Sequence, residues 1–190
     1  MMLTRHFQPF PFFLALFAAL ALQSCDDTKT STTQPNAHTL PAGLLSATEP
    51  AGALKVLDMR KSAPAAGSRV AVIGRIGGSR APFISSKAIF TIVDPTLKSC
   101  VEMGDDDHCP RPWDYCCEGK SVISAAMASI EVVGTDGKPL PFALDASGDL
   151  KPLMLVAVEG TLASSEGNAF VVRADHIYKF PNDPLAPHIK

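Results

Sequence analysis

The chain has 190 residues, of which 46% are hydrophobic and 19% charged, a composition typical of a folded domain with an apolar core. Its 17 basic and 19 acidic residues give a formal net charge of −2, and basic residues form no run. A nucleic-acid groove is therefore not expected, because such a groove draws its affinity from clustered Lys and Arg.

The first 24 residues have the form of a bacterial secretion signal. Their apolar run, residues 10–22, is too short to remain as a membrane-spanning helix. It is followed by the sequence LQSC, which ends at Cys25 and resembles the lipobox of bacterial lipoproteins. The resemblance implies cleavage before Cys25 and acylation of that residue, and several acyl chains on one residue give a stable membrane anchor. An ordinary secretion signal with an incidental cysteine is the alternative.

The residues after Cys25 predict a location and a tether. Asp26 resembles the inner-membrane retention signal of enteric bacteria, so we expect an anchored protein that faces the periplasm. Residues 25–48 are rich in Thr, Ser, Asp and Pro, and this composition predicts a flexible tether.

Residues 49–180 are predicted to form one domain, with residues 181–190 as a tail. A short helix is expected between residues 44 and 61. Runs of β-branched and other apolar residues predict five strands, at residues 69–78, 87–94, 125–134, 154–162 and 169–180.

The order of these elements resembles the OB-fold. The matching features are a long first strand bent by glycines, a connection with a helical turn between the third and fourth strands, and a closing hairpin that ends in VVRADHIY. The resemblance covers residues 68–180 and implies an all-β, five-stranded Greek-key barrel with a Cys-rich insertion between the second and third strands. OB-folds commonly bind oligonucleotides or oligosaccharides, but a fold alone does not define a function.

The insertion, residues 95–124, carries most of the unusual chemistry. It contains His108, Trp113 and four of the five cysteines, which are Cys100, Cys109, Cys116 and Cys117. Loops of this length are usually functional or disordered, and the prolines and aromatic residues here favour an ordered loop.

Disulfide bonds are one interpretation of these cysteines. Disulfides persist outside the cytoplasm, and an even number of cysteines allows two bridges. A bond between the neighbours Cys116 and Cys117 would strain an eight-membered ring, so each is expected to pair with Cys100 or Cys109. Two such bridges would hold the loop and stabilise the fold by roughly 2–4 kcal/mol each.

Two other interpretations stay open. The four thiols and His108 suit zinc, copper(I) or an iron–sulfur centre, although their spacing is not that of a structural zinc site. Thiol redox chemistry is the third, and the three aspartates at 105–107 disfavour it because their charge would raise thiol pKa values.

The sequence shows no pattern that predicts an enzyme, since it lacks a Ser-His-Asp order, a paired carboxylate site and a Gly-rich phosphate loop. We therefore expect a non-enzymatic, lipid-anchored binding or interaction module without a cofactor, whose Cys-stapled loop recognises an envelope protein, peptide or glycan. Trp113 and Tyr115 are the candidates for its binding surface. The alternative is a metal-binding lipoprotein that uses the Cys/His loop.

Overall fold

The computed structural model describes residues 39–104 and 109–189. In these residues the elements in chain order are β1 (Leu45–Ser46), β2 (Leu54–Lys55), α1 (Val56–Lys61), β3 (Arg69–Ile76), β4 (Ile89–Val93), α2 (Lys120–Ala126), β5 (Met127–Glu131), β6 (Leu155–Ser164) and β7 (Val171–Lys179). Short 3-10 turns lie at Cys100–Met103, Leu144–Ser147 and Ala186–His188. No helix in the described part of the chain is long and apolar enough to cross a membrane.

Strands β3 to β7 form a closed five-stranded barrel. β3 pairs antiparallel with both β4 and β6, and β5 pairs antiparallel with β4. β7 closes the ring through an antiparallel pairing with β6 and a parallel pairing with β5. The predicted all-β barrel of OB-like topology is therefore confirmed, including the Cys-rich insertion between the second and third barrel strands and a short N-terminal helix.

The barrel interior is filled by alternate side chains of its strands, as expected for strands with one buried face. Inward-facing residues include Val72, Phe90, Ile92, Ile130, Val156, Val158, Leu162, Val172 and Ile177, all fully buried. A Cβ atom at Gly74 would lie 2.8 Å from the Cβ of Ile92, so glycine at this position lets β3 and β4 approach closely.

Some boundaries differ from those predicted. The third barrel strand begins at Met127 rather than residue 125, because residues 120–126 form α2, and Ile123 packs against buried Tyr115, Val93 and Ala126. The predicted tether ends before residue 44, since Leu44 is buried and β1 pairs with β7. The predicted signal sequence, Cys25 and Asp26 lie outside the described residues.

The predicted tail folds back onto the barrel. Arg75 in β3 and Asp183 are 5% and 6% exposed, and they form an ion pair in which Nη1 donates to Oδ2 at 2.6 Å and Nη2 to Oδ1 at 3.1 Å. Burial alone would raise the pKa of Asp183, but hydrogen bonds from Arg75 and from the backbone N–H groups of Leu185 and Leu155 outweigh it and lower that pKa. Residues 181–189 therefore pack against the C-terminal end of β3. The residues that follow this end also contact the insertion.

Candidate thiol cluster

The insertion is attached to the barrel by a contact that requires glycine. After β3, the backbone N–H of Gly78 donates to the carbonyl oxygen of Trp113 at 3.2 Å. A Cβ atom at Gly77 would lie 2.6 Å from the same oxygen and 3.2 Å from the Tyr115 ring. A larger residue at position 77 would therefore push the insertion away from the barrel.

The insertion folds into two limbs that pair with each other. The first limb contains Cys100 and Val101, and the second contains Pro112 and Asp114 and continues to Cys117. The backbone N–H of Cys100 donates to the Asp114 carbonyl at 2.9 Å, and that of Val101 donates to the Pro112 carbonyl at 3.2 Å. A capping box begins the first limb, in which the Ser99 N–H donates to the Glu102 carboxylate at 2.8 Å. This pairing places Cys100 beside the second limb.

Tyr115 fixes the second limb from inside the protein. It is 1% exposed and packs with Val93 and Ala126, so it cannot serve as the surface residue that the sequence suggested. Burial raises the pKa of its hydroxyl, which has no hydrogen-bond partner in the described structure. The sequence did not reveal this because an aromatic residue between polar neighbours fits a surface and a core equally well.

The four cysteines of the insertion come together. The Cys116 Sγ atom lies 3.5 Å from the Sγ of Cys100 and 3.6 Å from that of Cys109. The sulfur atoms of Cys100, Cys116 and Cys117 all lie within 4.8 Å of one another. We call these three residues and Cys109 the thiol cluster.

The sulfur–sulfur distances of 3.5 Å and 3.6 Å are longer than the roughly 2.05 Å of a disulfide. No disulfide is seen among the cysteines in residues 39–104 and 109–189, so the predicted bridges are not supported. That Cys116 and Cys117 each form a disulfide bond with Cys100 or Cys109 stays a prediction for the oxidised protein.

The environment of Cys100 differs from that of its neighbours. Burial raises the pKa of the Cys100 thiol, and hydrogen bonding with Cys116 and Cys109 raises it further. Cys100 is 3% exposed, Cys109 is half-buried, and Cys116 and Cys117 are exposed. The cluster thus has a buried side at Cys100 and an open side at the two adjacent cysteines.

The sulfur spacing is compatible with binding to one metal ion. Thiolates about 2.3 Å from zinc in a tetrahedron lie about 3.8 Å apart. The Cys116 sulfur lies 3.5 Å from the Cys100 sulfur and 3.6 Å from the Cys109 sulfur, and both distances are close to that value. Cys100, Cys116 and Cys117 could hold the ion together, and Cys109 is near enough to be a fourth ligand. His108 and the aspartates at 105–107 lie outside the described residues.

Trp113 lines a small cavity beside the cluster. Its indole Nε1–H donates to the Arg80 carbonyl at 3.3 Å, which holds the ring against the loop after β3. The cavity has a volume of about 220 Å³, and its lining residues are Pro110, Pro112, Trp113, Pro152, Leu153 and His188. The structure therefore leaves Trp113 accessible from one side, as a surface residue needs to be.

Three arginines of the barrel strands have acidic neighbours. Arg69 forms ion pairs with Glu159 and Asp175, and hydrogen bonds to these two carboxylates raise its pKa. The Nε of Arg173 lies 3.7 Å from Glu131 Oε2. Arg75 is buried with Asp183, so these three guanidinium groups do not combine into a basic surface.

No known protein family matches this sequence, and a search of curated proteins finds no significant similarity. Strand order and pairing therefore define the fold, and the thiol cluster is the feature of the molecule that points to a function.

Proposed function

We propose that this protein is a non-enzymatic, lipid-anchored module of the bacterial cell envelope that binds a thiophilic metal ion at the thiol cluster. The observation that supports this most is the approach of the Cys100, Cys116 and Cys117 sulfur atoms to within 4.8 Å of one another. Thiolates are preferred ligands of zinc and copper(I). The predicted signal sequence and lipobox support anchoring at Cys25, and Asp26 supports retention at the inner membrane, facing the periplasm.

The way in which the barrel supports the cluster also favours a binding site. Gly77 admits the insertion, Tyr115 anchors one limb, and backbone hydrogen bonds join that limb to Cys100. Such preorganisation reduces the conformational entropy that ligands lose when they gather around an ion. A loop that only connected two strands would not need this support.

Metal binding can be tested on the mature chain with Cys25 replaced by Ser, reduced and kept under anaerobic conditions. We expect it to bind one Zn²⁺, or one Co²⁺ as a spectroscopic substitute, with thiolate-to-metal charge-transfer absorption. Cys116→Ser should lower the affinity at least tenfold, because the Cys116 sulfur lies 3.5 Å from the Cys100 sulfur and 3.6 Å from the Cys109 sulfur. Ser121→Ala, on the exposed side of α2, is the control and should bind like the parent. Absence of binding by the reduced parent would refute the proposal.

A second candidate function is a disulfide-stapled recognition loop. It is favoured by the 3.5 Å distance between the Cys100 and Cys116 sulfur atoms, which a side-chain rotation could shorten to a bond in an oxidising compartment. Trp113 and its adjacent cavity would then contact an envelope protein, peptide or glycan. Nucleic acid remains an unexpected partner, and a retardation assay at moderate salt should show no shift.

Intact mass distinguishes the two candidates. The protein should be isolated from the periplasmic side of the membrane, under conditions that neither reduce nor oxidise thiols. A mass lower by four hydrogens supports two disulfides and the stapled loop. Retention of all four hydrogens in the demetallated chain, with metal found by elemental analysis of the native protein, supports the metal site.

A further inference from the structure

The thiol cluster is open on one side only. Cys100 is 3% exposed and is one of the residues through which the two limbs pair, whereas Cys116 and Cys117 are exposed. An ion held by these three thiolates would be fixed on the Cys100 side and accessible from the other. Structural zinc sites are closed by four protein ligands, whereas sites that react keep a position open.

We propose that the thiol cluster transfers its metal ion to an external thiol, and that the exchange begins at the exposed Cys116–Cys117 side. This inference rests on the proposed metal binding and adds to it the mode of release and the class of acceptor. The acceptor is a thiol compound, either a small monothiol or a protein segment with two cysteines.

The exchange is a ligand substitution without electron transfer. The acceptor thiol loses its proton as its sulfur forms a bond to the metal, and the bond to Cys117 breaks. The Cys117 thiolate takes up that proton or one from water. The same substitution at Cys116, and at Cys109 where it is the fourth ligand, leaves Cys100 as the last protein ligand. The bond to Cys100 then breaks, its thiolate takes up a proton, and the ion departs with its oxidation state unchanged.

The position of the two exposed ligands supports this order. Cys116 and Cys117 are adjacent in the chain and are the central residues of the turn between Tyr115 and Glu118, close before α2. Cys100 is held by the backbone hydrogen bond to Asp114 in the interior of the insertion. An acceptor can therefore approach the metal between the exposed sulfur atoms without opening the pairing of the limbs.

The test measures the transfer rate from the metal-loaded mature chain, with Cys25 replaced by Ser, at increasing acceptor concentration. Glutathione represents a small monothiol, and a synthetic peptide with two cysteines represents a protein acceptor. We expect the observed rate constant to rise in proportion to acceptor concentration, because the acceptor binds before the protein ligand leaves. A rate constant that does not depend on acceptor concentration would show spontaneous dissociation and overturn the inference. The faster acceptor, compared per thiol, identifies the acceptor class.

Two variants test the direction of release. Cys100→Ser should raise the acceptor-independent loss of metal at least tenfold, because it removes the buried ligand. Cys117→Ser should raise that loss less than Cys100→Ser does, and the opposite order would contradict the proposed asymmetry. If the parent protein does not load with metal at all, the proposed function itself fails, and this outcome is seen before any transfer is measured.

Discussion

Gly77 shows how one residue without a side chain can position a distant group of thiols. Its backbone passes so close to Trp113 and Tyr115 that an added Cβ would overlap the Trp113 carbonyl oxygen at 2.6 Å. Cys117 lies two residues after Tyr115 in the second limb. A side chain at residue 77 that displaced Tyr115 would therefore also displace the thiol cluster. The position of the thiol cluster therefore depends on residue 77 having no Cβ atom.

We therefore expect Gly77→Ala to lower the free energy of unfolding by about 1–3 kcal/mol, the usual range for overpacking. The urea midpoint, followed by the fluorescence of the single tryptophan, measures the change and reports on the insertion itself. Gly119→Ala is the matched control, because a Cβ there would make an ordinary contact at 3.7 Å from Val122. Equal losses of stability in the two variants would show that the close contact between residue 77 and Trp113 does not require glycine.

Asp183 supplies the counter-charge of the buried Arg75 guanidinium. Replacement of Asp183 by Asn leaves the buried Arg75 guanidinium without a counter-charge, and removal of one partner of a buried pair usually costs about 3–5 kcal/mol. We expect a loss of stability in this range at pH 7, measured by urea denaturation. Asp149→Asn, at an exposed carboxylate, should change stability by no more than about 1 kcal/mol.

The pH dependence of Asp183→Asn follows from the lowered pKa of Asp183 in the folded state. A depressed carboxyl pKa stabilises the fold above the unfolded-state value, about 3.9 for Asp. That contribution is lost as the pH falls through the lower folded-state value. The stability difference between parent and variant should therefore narrow below about pH 4. A difference that stays constant down to pH 2 would exclude this ionisation as its source.

At the scale of the element, Asp94 joins the start of α1 to the start of the insertion. It is fully buried, and its Oδ2 accepts a hydrogen bond from the Leu57 N–H at 2.8 Å. Its Oδ1 accepts bonds from the Thr96 N–H at 2.9 Å and the Thr96 hydroxyl at 2.6 Å. One carboxylate thus satisfies a donor at the helix start and shapes the turn that leads to Cys100.

Asp94→Ala should destabilise the protein by about 1–3 kcal/mol, because it removes the acceptor of three partly buried hydrogen bonds. Amide hydrogen exchange should accelerate first at Leu57 in α1 and at Thr96. The control is Asp136→Ala, whose carboxylate accepts a local hydrogen bond from the Lys138 N–H in an exposed turn. Faster exchange confined to regions distant from both segments would contradict the role given to Asp94.

At the scale of the whole molecule, the folded domain begins before the boundary that composition predicts. Leu44 is buried, and its carbonyl accepts a hydrogen bond from the Ile177 N–H at 2.6 Å. The ring Nδ1 of His176 lies 2.9 Å from the Gly43 carbonyl oxygen. Residues 43–46 therefore belong to the folded domain and pair with β7 at Ile177 and Tyr178.

A chain that begins at residue 49 should be less stable than one that begins at residue 39. Loss of the buried Leu44 side chain alone removes about 1.5–3 kcal/mol. The thermal midpoints of the two chains, measured at the same protein concentration, provide the comparison. Identical midpoints would place residues 39–48 outside the cooperative unit, as the composition of the segment suggests.

The five barrel strands and their order could be predicted from the sequence, because period-two alternation and turn residues are local signals. The helix α2 could not, since a segment of seven residues with few buried side chains has only a weak pattern. The role of the tail was equally hidden, because an isolated Asp183 carries no sign of its distant partner Arg75.

For the site, the residue order alone shows which thiols are available and that they belong to one long insertion. Folding brings their sulfur atoms together, turns Tyr115 inward, and buries Cys100 while Cys116 and Cys117 stay exposed. These features could not be read from the sequence because spacing along a chain does not define distance in space. That distance depends on the contact between Gly77 and the insertion, on the pairing of the two limbs, and on the closure of the barrel that supports both.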